Sequence, residues 1–328
     1  MKKSLLILFF TCWALFFAAF RPVMPFAAET AAFPDGTPVT GGRILMGTIG
    51  EPSNLIPYMA SDSASGEITG LLYVAPLKYD KDLNVVPWAA ASYEVLEGGR
   101  LLRFVLRDDI RWEDGVPLTA DDVEFTYKLM IDPKTPTAYS GDFLAIESFK
   151  KTGRLSFEVR YAKPFARSLM TWMGAILPKH VLEGQDIMTT PVARKPIGAG
   201  PYRLAKWDAG SMLTLTASDT YFEGRPNLDE VVYRIIPDPS TMFLELKAGK
   251  LDMMSLSPQQ YLRQTQGPQW ERDWRKYRYL SFSYTFLGFN LEHPFFKDVR
   301  VRRAISMAID RQSLIDGVLL GQGVPTVG

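Results

Sequence analysis

In LLRFVLR the apolar Leu102, Phe104 and Leu106 alternate with Arg103, Val105 and Arg107 with period two, and this predicts a strand. The segment FLAIESFKKTGRLSFEVRYAKPF predicts a hairpin, with Leu155, Phe157, Val159 and Tyr161 on one face and Gly153 supplying the turn. Further short strands with turn residues between them are expected in APLKYDKDLNVVPW. From Pro76 onward this texture reads as a small antiparallel unit inserted into something larger.

The flanking pattern differs. RILMGTI is a short apolar run closed by Gly50 and Pro52, which predicts a buried first strand, and Ser63 to Leu72 reads as a helix. From about Ile197, GAGPYRLAKWDAGSMLTLTA predicts two strands around a turn, and VVYRIIPDPSTMFLELKAGKLDMMSL predicts strand, helix and strand. Pro239 and Ser240 open that helix, and Gly249 stands where a left-handed C-terminal cap belongs. Such a unit implies a parallel pair with a right-handed crossover, so the fold class is α/β. The last stretch predicts a long strand through YRYLSFSYTFLGFN, a Pro-marked loop and two helices; the first carries an apolar stripe of Val301, Ala304, Ile305, Ala308 and Ile309. The forty or so residues after Leu287 are too few for a core of their own.

Composition narrows the function classes. A chain of 328 residues with 47% hydrophobic content can bury a core spread over two or more lobes. With 37 basic and 36 acidic residues and no basic run, nucleic acid is not an expected partner. Lys2 and Lys3 precede the uncharged stretch Leu5 to Phe20 and then the Ala-rich RPVMPFAAETAA, the layout of a signal peptide over residues 1–28, with cleavage expected between Ala27 and Ala32. The alternative, an uncleaved membrane anchor, has an apolar stretch of sixteen residues where a spanning helix needs roughly 20. Cys12 is the only cysteine and lies in that leader, so the mature chain is expected to form no disulfide or thiolate metal site.

The densest charged segment is RWEDGVPLTADDVEF, with Glu113, Asp114, Asp121, Asp122 and Glu124. A calcium loop with Gly115 at its sixth position would start at Ile110, so that pattern fails. Spacing alone leaves paired catalytic carboxylates open, and an exported hydrolase using Asp114, Asp121 or Asp122 is one reading. The other is structural: Asp114-Gly115 makes a turn, Thr119 caps a helix, and Asp121 and Asp122 sit at its positive end. His180 and His293 are far apart in sequence, and neither a nucleophile elbow, a phosphate loop nor a dinucleotide fingerprint occurs, so no cofactor and no metal is expected.

Six segments, PWAAASYEV, LLRFVLRDDIRWEDGVPLTADDVEFTYKLM, AILPKHVL, IGAGPYRLAKW, LKAGKLDMM and LGFNLEHPFFKDVRVRRAISMAIDR, resemble in order and spacing the extracytoplasmic solute-binding proteins, family 5, of peptide and nickel ABC importers. The likeness runs from about Gly42 to the last residue. It departs at Ala199, where Thr is usual, at Tyr93, where Trp is usual, and at Ile56, where Asp often precedes Pro57. The resemblance implies a periplasmic-binding-protein-like two-lobed fold with a small inserted α+β domain. Residues 29–75 and 183–286 would form the first lobe, 76–182 the insertion and 287–328 the start of a second lobe.

Family members are longer, so the chain is expected to hold half a clamp and to bind ligand weakly or not at all. The resemblance further implies a periplasmic, monomeric, non-enzymatic receptor that closes over a peptide and docks on a membrane permease. Nickel complexes, opines and oligosaccharides are other ligands within the family, and a membrane-tethered sensory domain is a rival use of such a chain. Carried over by position, Ser61, Asp62 and Ser63 would lie beside the peptide backbone and Tyr139 would approach the ligand from the insertion. Ser283, Tyr284, Thr285 and Phe286 would line the cleft.

Overall fold

The strand RILMGT (β1, Arg43–Thr48) is the first element in a computed structural model that describes residues 38–279 and 284–326. The signal-peptide reading and Ser283 therefore lie outside the described residues. The chain divides into two compact units between Ser255 and Leu256. In the larger, β1 is followed by helix α1 (Ser63–Leu72), the short pair β2 (Leu77–Tyr79) and β3 (Val85–Pro87), then β4 (Ala90–Leu96) and β5 (Leu101–Leu106). Helix α2 (Ala120–Ile131) leads to β6 (Ile146–Lys151) and β7 (Ser156–Tyr161). The unit closes with β8 (Tyr202–Asp208), β9 (Met212–Ala217), β10 (Glu230–Ile235) and helix α3 (Pro239–Lys247).

Two four-stranded sheets result, one in the order β1-β10-β9-β8 and one in the order β4-β5-β7-β6. The second is antiparallel and built from the alternating segments. Leu102, Phe104 and Leu106 are buried on one face, with Phe157, Val159 and Tyr161 beside them. On the other face Arg103 reaches Glu94 at 3.0 Å and Glu158 at 2.9 Å. Phe104 and Phe157 stack 4.8 Å apart, and Trp172 tilts onto them from a loop. Their cluster continues through Leu55, Ile68 and Leu72 to Leu213 and Tyr233 of the first sheet, so one apolar core serves both sheets.

The predicted strand, helix and strand unit is present with two differences. Helix α3 is capped by the Asp238 side chain, which accepts from the Thr241 N–H at 2.7 Å. At its other end Gly249, at φ 69°, and Lys250 return their N–H groups to Leu246 and Glu245, a Schellman closure. The second strand, however, shrinks to a single parallel bridge from Met253 to Met46 of β1, so β1 and not β10 is its neighbour. The expected burial of β1 is also corrected: its residues are half-buried or exposed. Met242 of α3 packs so close to Gly47 that a Cβ there would lie 2.7 Å from its sulfur.

In the smaller unit, helices α4 (Val299–Ala308) and α5 (Arg311–Gly317) form as expected. The apolar stripe of α4 is half-buried or exposed. The expected long strand runs across residues 280–283, which lie outside the described residues; its flanks, 275–279 and 284–290, carry no strand.

Candidate functional site

Helix α1 is fixed at both ends. At its start Asp62 accepts from the Ser65 N–H at 2.7 Å, from the Ser65 hydroxyl at 2.8 Å and from the Ser53 hydroxyl at 2.6 Å. Burial pushes the Asp62 carboxyl up, but these hydrogen bonds outweigh it and hold the group below its ordinary value. At the other end the Leu72 carbonyl accepts from the Gly200 N–H at 2.8 Å. Between the anchors, Gly66, Thr69 and Gly70 fall on one face by their spacing and line a cleft of about 350 Å³.

The opposite wall is aromatic. Tyr58, at φ 73°, donates from its hydroxyl to the Ala175 carbonyl at 2.8 Å, while its own carbonyl accepts from the Thr137 hydroxyl at 2.8 Å. Its ring meets Tyr139 and Phe143 edge-on, at 6.1 Å and 5.9 Å. Burial raises the Tyr58 phenol far above its ordinary value, so it remains a neutral donor. Trp88 completes the wall; its indole N–H donates to Tyr221 at 2.9 Å, Tyr221 donates to Glu223 at 2.6 Å, and Lys78 pairs with Glu223 at 2.7 Å.

Among the expected site residues, Tyr139 lines this cleft. Ser61 and Ser63 are exposed beside it, and Asp62 is engaged as the helix cap, so none of the three is among the lining residues. Tyr284, Thr285 and Phe286 are exposed in the smaller unit, where the rings of Tyr284 and Phe286 lie 5.7 Å apart. Tyr58, Trp88, Gly66 and Gly70 were not foreseen. Two glycines one turn apart inside a predicted helix were a readable signal; the left-handed backbone of Tyr58 had none.

The acidic segment separates into structural tasks. Asp114 turns back to accept from the Val116 N–H at 3.1 Å and meets His180 Nε2 at 2.7 Å. Thr119 and Asp122 form a capping box at the start of α2, and Asp122 also accepts from the Lys179 N–H at 2.9 Å. Asp121 pairs with Lys151 and Glu124 with Lys128. Burial raises the carboxyls of Glu113 and Asp122, that of Glu113 to about 7 against the pull of Arg203. These carboxylates face different partners, and none of them lines the cleft. Among the described residues no group of three or more His, Cys, Asp or Glu is placed to hold a metal ion, and no helix is long and apolar enough to cross a membrane.

Known proteins carry the same pattern. The family described as bacterial extracellular solute-binding proteins, family 5 Middle, matches residues 84–328. The oligopeptide-binding protein AppA of Bacillus subtilis is 33% identical over 88% of this chain and 53% of its own length. Protein XP55 of Streptomyces lividans is 31% identical over 92% of this chain and 54% of its own. The chain thus spans about half the length of these curated relatives. The solved structure of Bacillus subtilis AppA in complex with a nonapeptide superposes with a TM-score of 0.78 at 31% identity, covering 88% of this chain and 58% of that one. NikZ from Campylobacter jejuni in complex with Ni(L-His) gives 0.71 at 25% identity, covering 85% and 55%. The mixed α/β fold is therefore of the periplasmic-binding-protein type implied by the resemblance. The chain belongs to the bacterial extracellular solute-binding proteins, family 5.

Proposed function

We propose that the protein is the substrate-binding receptor of an ABC importer, that it takes peptides, and that it performs no bond chemistry on them. The observation that carries this reading is the uncharged, aromatic-walled cleft of about 350 Å³ in a chain 33% identical to an oligopeptide-binding protein. Such a cleft suits a ligand held by shape and backbone hydrogen bonds. Engagement of the acidic segment in caps, turns and ion pairs supports binding over hydrolysis.

The reading extends to the whole chain. Residues 1–28 direct export to the periplasm, 29–75 with 183–286 form the first lobe, 76–182 the insertion, and 287–328 begin the second. Ser61, Asp62, Ser63 and Ser283 to Phe286 remain proposed ligand contacts alongside Tyr139, and the loaded monomer docks on a membrane permease. The division of strands between two sheets supports the insertion.

Isothermal calorimetry with a defined peptide library, alongside nickel with histidine, tests the ligand. Peptide affinity with peptides recovered intact is the expected result. Nickel–histidine binding without peptide binding would move the ligand to metal chelates, and cleaved peptide would restore the hydrolase. Mass spectrometry of the exported protein checks loss of the leader.

A further inference from the structure

The α1 cleft has a property that a general peptide site does not require: none of its lining residues is Asp, Glu, Lys, Arg or His. Its polar atoms are mostly engaged already, the buried Tyr73 hydroxyl being the exception, with no hydrogen-bond partner among the described residues. The Ser65 hydroxyl donates to Asp62, the Thr69 hydroxyl donates to the Ser65 carbonyl at 2.8 Å, and the Asn54 side-chain oxygen accepts from the Ile56 N–H at 2.7 Å. The Tyr58 hydroxyl and the Trp88 indole N–H are likewise committed to Ala175 and Tyr221. A charged group entering this space would lose water and find no counter-charge among the lining residues, and the single Tyr73 hydroxyl does not replace its hydration shell.

Gly66 and Gly70 determine how far an occupant can reach. A Cβ on either would meet nothing within 4 Å, so no packing among the described residues requires glycine there. Neither has a positive φ, so no backbone conformation requires it either. Glycine is unfavourable inside a helix relative to alanine, so local propensity runs against both residues. What they provide is bare helix backbone in the lining of the cleft that Tyr58, Tyr139 and Trp88 also line.

We propose that this cleft is a subsite for a large uncharged side chain, aromatic or branched aliphatic, of the bound peptide, and that Gly66 and Gly70 set its depth. The inference rests on the peptide reading and narrows it: the receptor discriminates by charge at one position of its ligand.

The test uses two peptide sets that differ at a single position, Phe or Leu in one and Glu or Lys in the other, titrated by calorimetry against the wild-type protein, Gly66→Leu and Gly70→Leu. The uncharged set is expected to bind the wild type at least about tenfold more tightly, and each Leu variant to lose about tenfold for the Phe peptides while keeping its affinity for a peptide with Gly there. Where a Leu variant fails to fold by circular dichroism, Gly70→Ala takes its place, with a raised melting temperature and weakened Phe-peptide binding expected. Equal binding of charged and uncharged sets by the wild type, or undiminished Phe-peptide binding by the glycine variants, overturns the subsite and leaves the peptide reading standing. Binding of no peptide at all removes both.

Discussion

A Cβ built on Gly198 would overlap the backbone carbonyl oxygen of Leu72, the last residue of helix α1. Gly200, two residues on, has the same constraint: a Cβ there would lie 2.5 Å from the Leu71 carbonyl oxygen, and its N–H donates to Leu72. The GAGPY segment is thus a docking edge, where chain entering β8 meets the end of the helix that walls the cleft. Gly198→Ala is expected to destabilise the protein by about 2–3 kcal/mol, because the clashing atom is backbone and cannot swing away. Chemical denaturation of the variant and wild type checks it, and a change below about 0.5 kcal/mol would contradict the close approach.

The opposite end of α1 depends on charge. Because hydrogen bonds from Ser53 and Ser65 hold the Asp62 carboxyl below its ordinary value of 3.8, this group contributes stability that is present above that value and lost as pH falls through the lower folded one. Asp62→Ala should cost about 1–2 kcal/mol near neutrality through loss of the cap. Asp62→Asn, which can still cap, should cost less and should remove this group's share of the acid-side decline. Melting temperatures of the three proteins between pH 3 and pH 7 separate the cap from the charge.

Glu113 has the reverse sign. Burial raises its carboxyl from 4.5 to about 7 in the folded chain, so the folded state binds the proton more tightly than the unfolded one. The group's contribution is fully favourable below 4.5, declines as pH rises, and is lost above about 7. Allowing for its partial exposure and the nearby Arg203, Glu113→Gln should stabilise the protein by about 1 kcal/mol at pH 8 and leave stability near pH 4 almost unchanged. A variant that gains nothing at pH 8 would show that the carboxyl is solvated and titrates normally.

The parts of this fold that were legible in the sequence are those set by local chemistry. Leu102, Phe104 and Leu106 alternate with Arg103, Val105 and Arg107, and it is their face of β5 that joins the core. Thr119, Asp122, Pro239 and Gly249 act through the backbone within a few residues of themselves, so their motifs predicted helix ends well. Failures came where the partner is distant. The described flanks of YRYLSFSYTFLGFN carry no strand, since a strand needs a neighbour to complete its ladder, which propensity does not encode. The cleft was half legible for the same reason: Tyr139 came through resemblance, whereas Tyr58 acquires its role from Thr137 and Ala175, far away in the chain.

Tyr58 and Gly174 give the sharpest test of the cleft wall. Tyr58 holds a left-handed backbone, unfavourable for a bulky residue, and the surroundings that fix it are its hydroxyl bond to Ala175 and the Thr137 bond to its carbonyl. A Cβ on Gly174 would overlap the Tyr58 hydroxyl, so the ring lies where it does only because residue 174 has no side chain. Tyr58→Phe keeps the ring and its edge-on contacts with Tyr139 and Phe143, and should cost about 1 kcal/mol by leaving the Ala175 carbonyl without its donor. Gly174→Ala should cost about 2 kcal/mol and, unlike Tyr58→Phe, swing the ring away and change the shape of the wall. Denaturation curves for both, read beside calorimetric peptide affinities, separate the two effects. The phenylalanine variant should lose stability and keep most of its affinity, while the alanine variant should lose both; equal affinity losses would mean that the hydroxyl, and not the position of the ring, matters to the ligand.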